Sequence, residues 1–110
     1  MAREHKVSGG ACGAPVRTLP ACLSELLRPE LAMSLLPVER VVIHALLRAL
    51  RPRLAIEVGS ERGGTSRLIA SHAARLICID IDPAVRSRLA DCANVEVITG
   101  DSARELPALL

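Results

Sequence analysis

The chain has 110 residues, half of them apolar, and contains no Phe, Trp or Tyr. That length accommodates one domain and excludes a second. The composition demands an aliphatic core of Leu, Ala, Val and Ile, and it removes every module that stacks bases or methylated amines on aromatic rings. Fourteen basic residues, all but Lys6 being Arg, face twelve acidic ones for a net charge of +2. The balance is +4 over residues 1–53 and −2 over residues 54–110, with the bases placed singly. No basic run tracks a phosphate backbone, so nucleic acid is not an expected partner.

Residues 1–18 mix charge, Gly and Pro without periodicity and are expected to form a disordered leader. Residues 19–36 are Leu-rich, are broken by Pro20 and Pro29, and end against Pro37; they suit a short helical cover. From Pro37 the spacing predicts an amphipathic helix that stops before Pro52, with Val38, Val41, Val42, Ala45, Leu46 and Ala49 on one stripe. His44 lies off that stripe beside Arg40, Leu47 and Arg51, and reads as a solvated surface histidine.

Beyond Pro52 three short apolar runs alternate with helical stretches. Leu54–Val58 ends at Gly59, and a helix over 65–74 follows with Leu68, Ile69 and Ala73 as its packing face; His72 falls at its end and is expected at the surface. Leu76–Ile79 ends in Asp80-Ile81-Asp82-Pro83, where a capping carboxylate followed by Pro starts a helix over 84–91 with Val85 and Leu89 one turn apart. Val95–Ile98 ends at Thr99-Gly100-Asp101, and Ser102-x-x-Glu105 has the form of a capping box that opens a last helix. Strands apolar on both faces and separated by helices imply an α/β chain with a covered parallel sheet.

Four cysteines, Cys12, Cys22, Cys78 and Cys92, form no C-x-x-C pair and have no His at zinc-ligand spacing, so no metal is expected. Cys78, within an apolar run, reads as a small buried hydrophobe. No stretch of 18 apolar residues exists and the start is not that of a signal peptide, so the protein is expected to be cytoplasmic, without a membrane partner.

In an open parallel sheet, ligands bind beyond the carboxyl ends of the strands. Here each of those ends carries a carboxylate, and the first, Glu57-Val58-Gly59-Ser60-Glu61-Arg62-Gly63-Gly64-Thr65-Ser66, is rich in glycine. Asp80 follows Gly59 by 21 residues, the interval at which an acid accepts hydrogen bonds from ribose hydroxyls. A dinucleotide is disfavoured because Glu61 stands where a second glycine would admit the pyrophosphate. A phosphate loop is disfavoured because Thr65 replaces the lysine of G-x-x-x-x-G-K-[ST]. Glu57, on the strand itself, suits a ligand that carries positive charge.

The pattern E-x-G-x-x-x-G-G-T-S, with D-I-D-P closing the second strand and G-D-S the third, resembles the class I S-adenosylmethionine-dependent methyltransferases, above all their small-molecule O-methyltransferases. The resemblance covers roughly residues 37–110. It implies a Rossmann-like, doubly wound parallel sheet in order 3-2-1-4-5-7-6, of which this chain supplies the first three strands, in order 3-2-1, behind N-terminal helices. It further implies that Glu57, Gly59, Ser60 and Gly63 surround the methionine end of S-adenosyl-L-methionine and that Asp80 holds the ribose. Ile81 would press the adenine face, while Asp101 and Ser102 would lie near its edge, Asp101 being equally readable as part of the last helix cap. On this reading residues 37–110 form an incomplete cofactor-binding domain acting with a small-molecule methyl acceptor. Its catalytic residues would lie beyond Leu110, and strand 54–58 would be an open edge for self-association or for a partner chain. The competing expectation is a non-catalytic nucleotide-binding or interaction module that uses the same edge.

Overall fold

The computed structural model describes residues 33–110 and, before them, Leu26. The expected leader over 1–18 and most of the expected cover over 19–36 lie outside the described residues, as do Cys12 and Cys22. Helix α1 (Pro37–Leu50) is followed by β1 (Leu54–Val58), α2 (Gly64–Ala70), β2 (Arg75–Asp80), α3 (Ala84–Arg88), β3 (Val95–Thr99) and α4 (Ser102–Leu109). The three strands form one parallel sheet in the order β1-β2-β3, as expected from the alternation of elements. Leu54 pairs with Arg75 at the start of the first ladder, and Leu76 with Val95 at the start of the second.

β2 is the central strand, and Leu76 through Ile79 are buried on both of its faces. Alternation along the strand sends Leu76 and Cys78 to one face, where they form a cluster with Val85 and Leu89 of the α3 segment. Ile69, Ala70, Val95 and Val97 pack around that cluster. Ile77 and Ile79 turn to the other face, and α4 lies against β2. Apart from the Cys78 thiol this core is aliphatic, as a composition without Phe, Trp or Tyr requires.

Polar side chains join the ends of the elements. Asn94 donates from Nδ2 to the carbonyls of Ala70 (2.8 Å) and Ala73 (3.0 Å), tying the end of α2 to the entry of β3. Arg67 of α2 makes a two-pronged pair with Asp91 (2.7 and 2.9 Å) and donates to the Arg88 carbonyl (2.7 Å). Asp82 Oδ1 accepts from Ala84 N–H (2.9 Å), so it caps α3 as the Asp-Pro pair predicted. Of the two caps the sequence offers for α4, the structure takes Asp101 rather than the Ser102-x-x-Glu105 box. Asp101, not Ser102, occupies the cap and accepts from Ala103 N–H (2.9 Å), because its extended backbone aims the carboxylate along the first turn.

α1 departs from its expected orientation. The apolar stripe predicted to pack is exposed, with Val38 66% and Val42 52% accessible, whereas the flank that carries Arg40, Ile43, His44 and Leu47 is half-buried. Two polar anchors set this rotation. The Arg40 guanidinium donates to the carbonyls of Leu35 (2.9 Å), Met33 (3.1 Å) and Leu26 (3.2 Å), and His44 meets His72 (3.1 Å). Both histidines are therefore half-buried contacts between helices rather than solvated surface groups. Among the described residues no helix is long and apolar enough to cross a membrane.

Gly63 illustrates how tightly the loop is packed on the core. Its φ is +86°, and a Cβ there would stand 3.0 Å from Leu89 Cδ2. Gly63→Ala is expected to lower stability by about 1–3 kcal/mol, through backbone strain and overpacking together. A urea titration followed by circular dichroism reads this; an unchanged midpoint would remove Gly63 from the packing argument.

Candidate functional site

The site forms where β1 and β2 end. Glu57 and Cys78 are partners in the parallel ladder, so both side chains stand on the face covered by α2. The chain leaves β1 at Gly59, whose N–H extends the ladder to the Ile79 carbonyl (2.9 Å). It then turns back through Ser60–Gly63, with Gly63 N–H on the Ser60 carbonyl (2.8 Å). This reversal sets Ser60 and Ser66 on either side of the Glu57 carboxylate.

Glu57 is only 9% exposed. Its Oε2 accepts from the Ser66 hydroxyl and from Ser60 Oγ (3.1 Å), and Cys78 Sγ lies 3.5 Å away. These contacts all fall on one oxygen. Burial pushes the Cys78 thiol up from its ordinary value, relieved in part by the Ser60 and Ser66 hydroxyls, so it stays a protonated donor toward the carboxylate.

Asp80 ends β2 and holds the loop in place. Its Oδ2 accepts from the backbone N–H of Ser60 (2.8 Å) and Glu61 (3.1 Å), and its Oδ1 from Asp82 N–H (2.8 Å). Burial works to raise its pKa, but the N–H groups of Asp82, Glu61 and Ser60 and the charge of Arg88 outweigh it and hold the carboxyl below its ordinary value. Arg88 spans the two loops, donating from Nη1 to the Glu61 carbonyl (2.7 Å) and to Asp82 Oδ2 (3.1 Å).

A cavity of about 420 Å³ opens beneath the loop. Glu57, Gly59 and Ser60 line it together with Ile56 and Thr65, and Met33, Ser34 and Leu35 form the opposing wall. Ser34 donates to the Glu61 carboxylate, joining that wall to the loop. A Cβ at Gly59, where φ is +79°, would meet nothing within 4 Å, so the backbone faces open space there. The lining includes two carboxylates, Glu57 and Glu61, and one guanidinium, Arg62.

The structure thus brings Glu57, Gly59 and Ser60 to one cavity, with Asp80 directly behind the loop and Ile81 beside it, 77% exposed. Gly63 packs behind the loop on Leu89 and is not part of the lining. Asp101 and Ser102 stand at the end of β3, away from the cavity, joined to it only through the adjacent strand end. Sequence reasoning passed over three contributors. Ser66 stood within the glycine pattern without a role, Arg88 looked like one more surface arginine, and the 33–35 wall fell inside the stretch read only as a cover. Their signal is three-dimensional, since each meets the site across 9 to 27 positions of chain.

No family model matches the chain, and no curated protein matches it. Solved structures do. The chain is similar to the O-methyltransferase TomG from Streptomyces achromogenes, involved in tomaymycin synthesis and solved in complex with SAM, at 27% identity over 79% of this chain and 46% of that one, with a TM-score of 0.59. It is also similar to the cofactor-bound Rv0187 from MTB (22% identity, 94% of this chain, 50% of that one, TM-score 0.58). A third likeness is to the N-methyltransferase NodS from Bradyrhizobium japonicum WM9 in complex with S-adenosyl-l-homocysteine (20%, 76% and 48%, TM-score 0.52). The chain spans about half the length of each of these structures.

The loop's dependence on Asp80 has a pH signature. A carboxyl held below its ordinary 3.8 in the folded state stabilises the fold above that value, and the contribution is lost as pH falls through the lower folded value. Asp80→Asn, which presents an NH₂ to backbone N–H donors, is expected to be less stable than the parent at pH 7, with the gap closing below about pH 4. Paired urea melts from pH 3 to 7 measure it; a gap independent of pH would contradict the assignment.

Proposed function

We propose that this chain, which has the fold of the class I S-adenosylmethionine-dependent methyltransferases, is the cofactor-binding part of such an enzyme with a small-molecule methyl acceptor. One observation carries the reading. A buried carboxylate, Glu57, stands in the wall of a cavity under a glycine turn, with a second carboxylate, Asp80, at the neighbouring strand end. S-adenosylmethionine is cationic at its sulfonium and at its amino group, and the lining residues fit such a ligand. The Glu57 contacts leave Oε1 for an ammonium group, and the open face of Gly59 lets the methionine chain lie on the backbone.

On this reading Glu57, Gly59 and Ser60 hold the methionine end, and Gly63 shapes the loop from behind. Asp80 receives a ribose hydroxyl on Oδ1, which accepts one backbone N–H, from Asp82, whereas Oδ2 already serves two. The exposed Ile81 covers one face of the adenine with an aliphatic surface, as a chain without aromatic residues must. Asp101 caps α4 through Oδ1, and its other oxygen accepts from the exocyclic amine, with Ser102 near the adenine edge. When bound, S-adenosylmethionine supplies an electrophilic methyl group for in-line displacement by the acceptor. The residues named here orient the methyl donor and exclude water from one side of it. The acceptor is oriented by residues outside this chain, so the chain alone binds the cofactor without turnover. The small-molecule acceptor is supported by the likeness to TomG. Strand β1, which among the described residues pairs only with β2, is the edge at which a partner chain or a second copy completes the sheet.

Calorimetric titration with S-adenosylhomocysteine tests the reading. The parent is expected to bind one equivalent, and Asp80→Ala to bind at least about tenfold more weakly, the loss of one hydrogen bond to a charged group. Absence of binding at millimolar ligand would sink the cofactor reading in favour of a non-catalytic interaction module. Parent-like affinity in Asp80→Ala would sink the ribose assignment alone.

A further inference from the structure

A pair of histidines stands apart from the glycine loop. His44 lies on α1 one turn beyond Arg40, and His72 in the turn that follows α2. His72 Nε2 is 3.1 Å from His44 Nδ1, with the ring centroids 4.9 Å apart and the planes at 66°. His44 Nε2 is buried and has no hydrogen-bond partner among the described residues.

These contacts restrict the protons the pair can carry. One of the two facing nitrogens must bear hydrogen and the other must not. If His72 Nε2 donates, His44 accepts on Nδ1 and carries its own proton on Nε2, where it is buried without an acceptor. If either ring is protonated, His44 Nε2 again bears a stranded hydrogen. Only one state avoids an unsatisfied buried donor: both rings neutral, each protonated on Nδ1, with His44 Nδ1–H donating to His72 Nε2. The surroundings push the same way. His72 faces His44, Arg48 and Arg51 from α1 and its cap, and none of the three ion pairs among the described residues brings a carboxylate to it. Burial first, and then His44 and the charges of Arg48 and Arg51, hold His72 below its ordinary value of 6.5.

We propose that the His44–His72 pair is a pH-sensitive latch that docks α1 on the end of α2 while the contact is neutral and releases it when His72 takes up a proton. The latch reaches the cavity through Arg40, on the same flank of α1. Its guanidinium grips the carbonyls of Met33 and Leu35, both in the cavity wall. Release of α1 therefore opens that wall. The inference stands on the helix contact and does not require the cofactor reading.

The sign follows from linkage. With the folded value below 6.5, docking is fully supported above that pH and is lost as pH falls from 6.5 through the lower folded value. For one proton taken up on release, the opening equilibrium of α1 rises up to about tenfold between pH 7.5 and 5.5. Nuclear magnetic resonance on the full, ligand-free chain tests this. Long-range imidazole spectra are expected to show both histidines as Nδ1–H tautomers, with His72 titrating below 6.5. Amide exchange over residues 40–47, corrected for its intrinsic pH dependence and referred to β2, is expected to report the opening. In the double variant His44→Gln, His72→Gln the pH dependence should vanish. An Nε2–H tautomer at His44, a His72 midpoint at or above 6.5, or the same pH-dependent opening in the double variant overturns the latch. Should the double variant fail to fold, the parent spectra decide alone.

Discussion

The Asp80 carboxylate is the constraint on which the rest of the site depends. A strand that leaves a parallel sheet must satisfy the N–H groups that no longer have a ladder partner. At the ends of β1 and β2 one side chain does this for both loops, taking Ser60 and Glu61 on one oxygen and Asp82 on the other. The glycine turn is thereby held against the neighbouring strand end, and Arg88 closes the arrangement from α3. Because the donors are backbone groups, the negative charge of Asp80 is balanced without a buried cation, and the loop keeps its shape without one.

Glu57 follows from that geometry. Once the loop is folded back, the Ser60 and Ser66 hydroxyls flank a carboxylate that would otherwise be buried among aliphatic groups at considerable cost. Two hydroxyls and a neighbouring thiol make its position tenable, and all three approach the same oxygen. The wall of the cavity therefore carries an oriented carboxylate. In a chain without Phe, Trp or Tyr, the surfaces exposed around the loop are aliphatic, as at Ile81, or backbone, as at Gly59.

α1 contributes by polar anchoring rather than by its apolar stripe. Arg40 satisfies three carbonyls of the preceding segment and so draws residues 33–35 over the loop, while His44 sets the helix on the turn after α2. Amphipathic periodicity identifies a helix and its faces but carries no information about which face meets the body. Here directional hydrogen bonds on the opposite flank decide it, and the Val-rich stripe is left exposed.

By itself the sequence determined the alternation of elements, the parallel sheet with its aliphatic core, the capping role of Asp82 and the gathering of Glu57, Gly59 and Asp80 at adjacent strand ends. These are local properties: apolar runs of strand length, Gly where φ must be positive, and carboxylates at fixed intervals from them. Tertiary structure alone decided the rotation of α1, the roles of Ser66 and Arg88 and the meeting of His44 with His72. Each depends on the direction of a hydrogen bond between segments that sequence spacing does not relate, and that direction is not written in composition or periodicity.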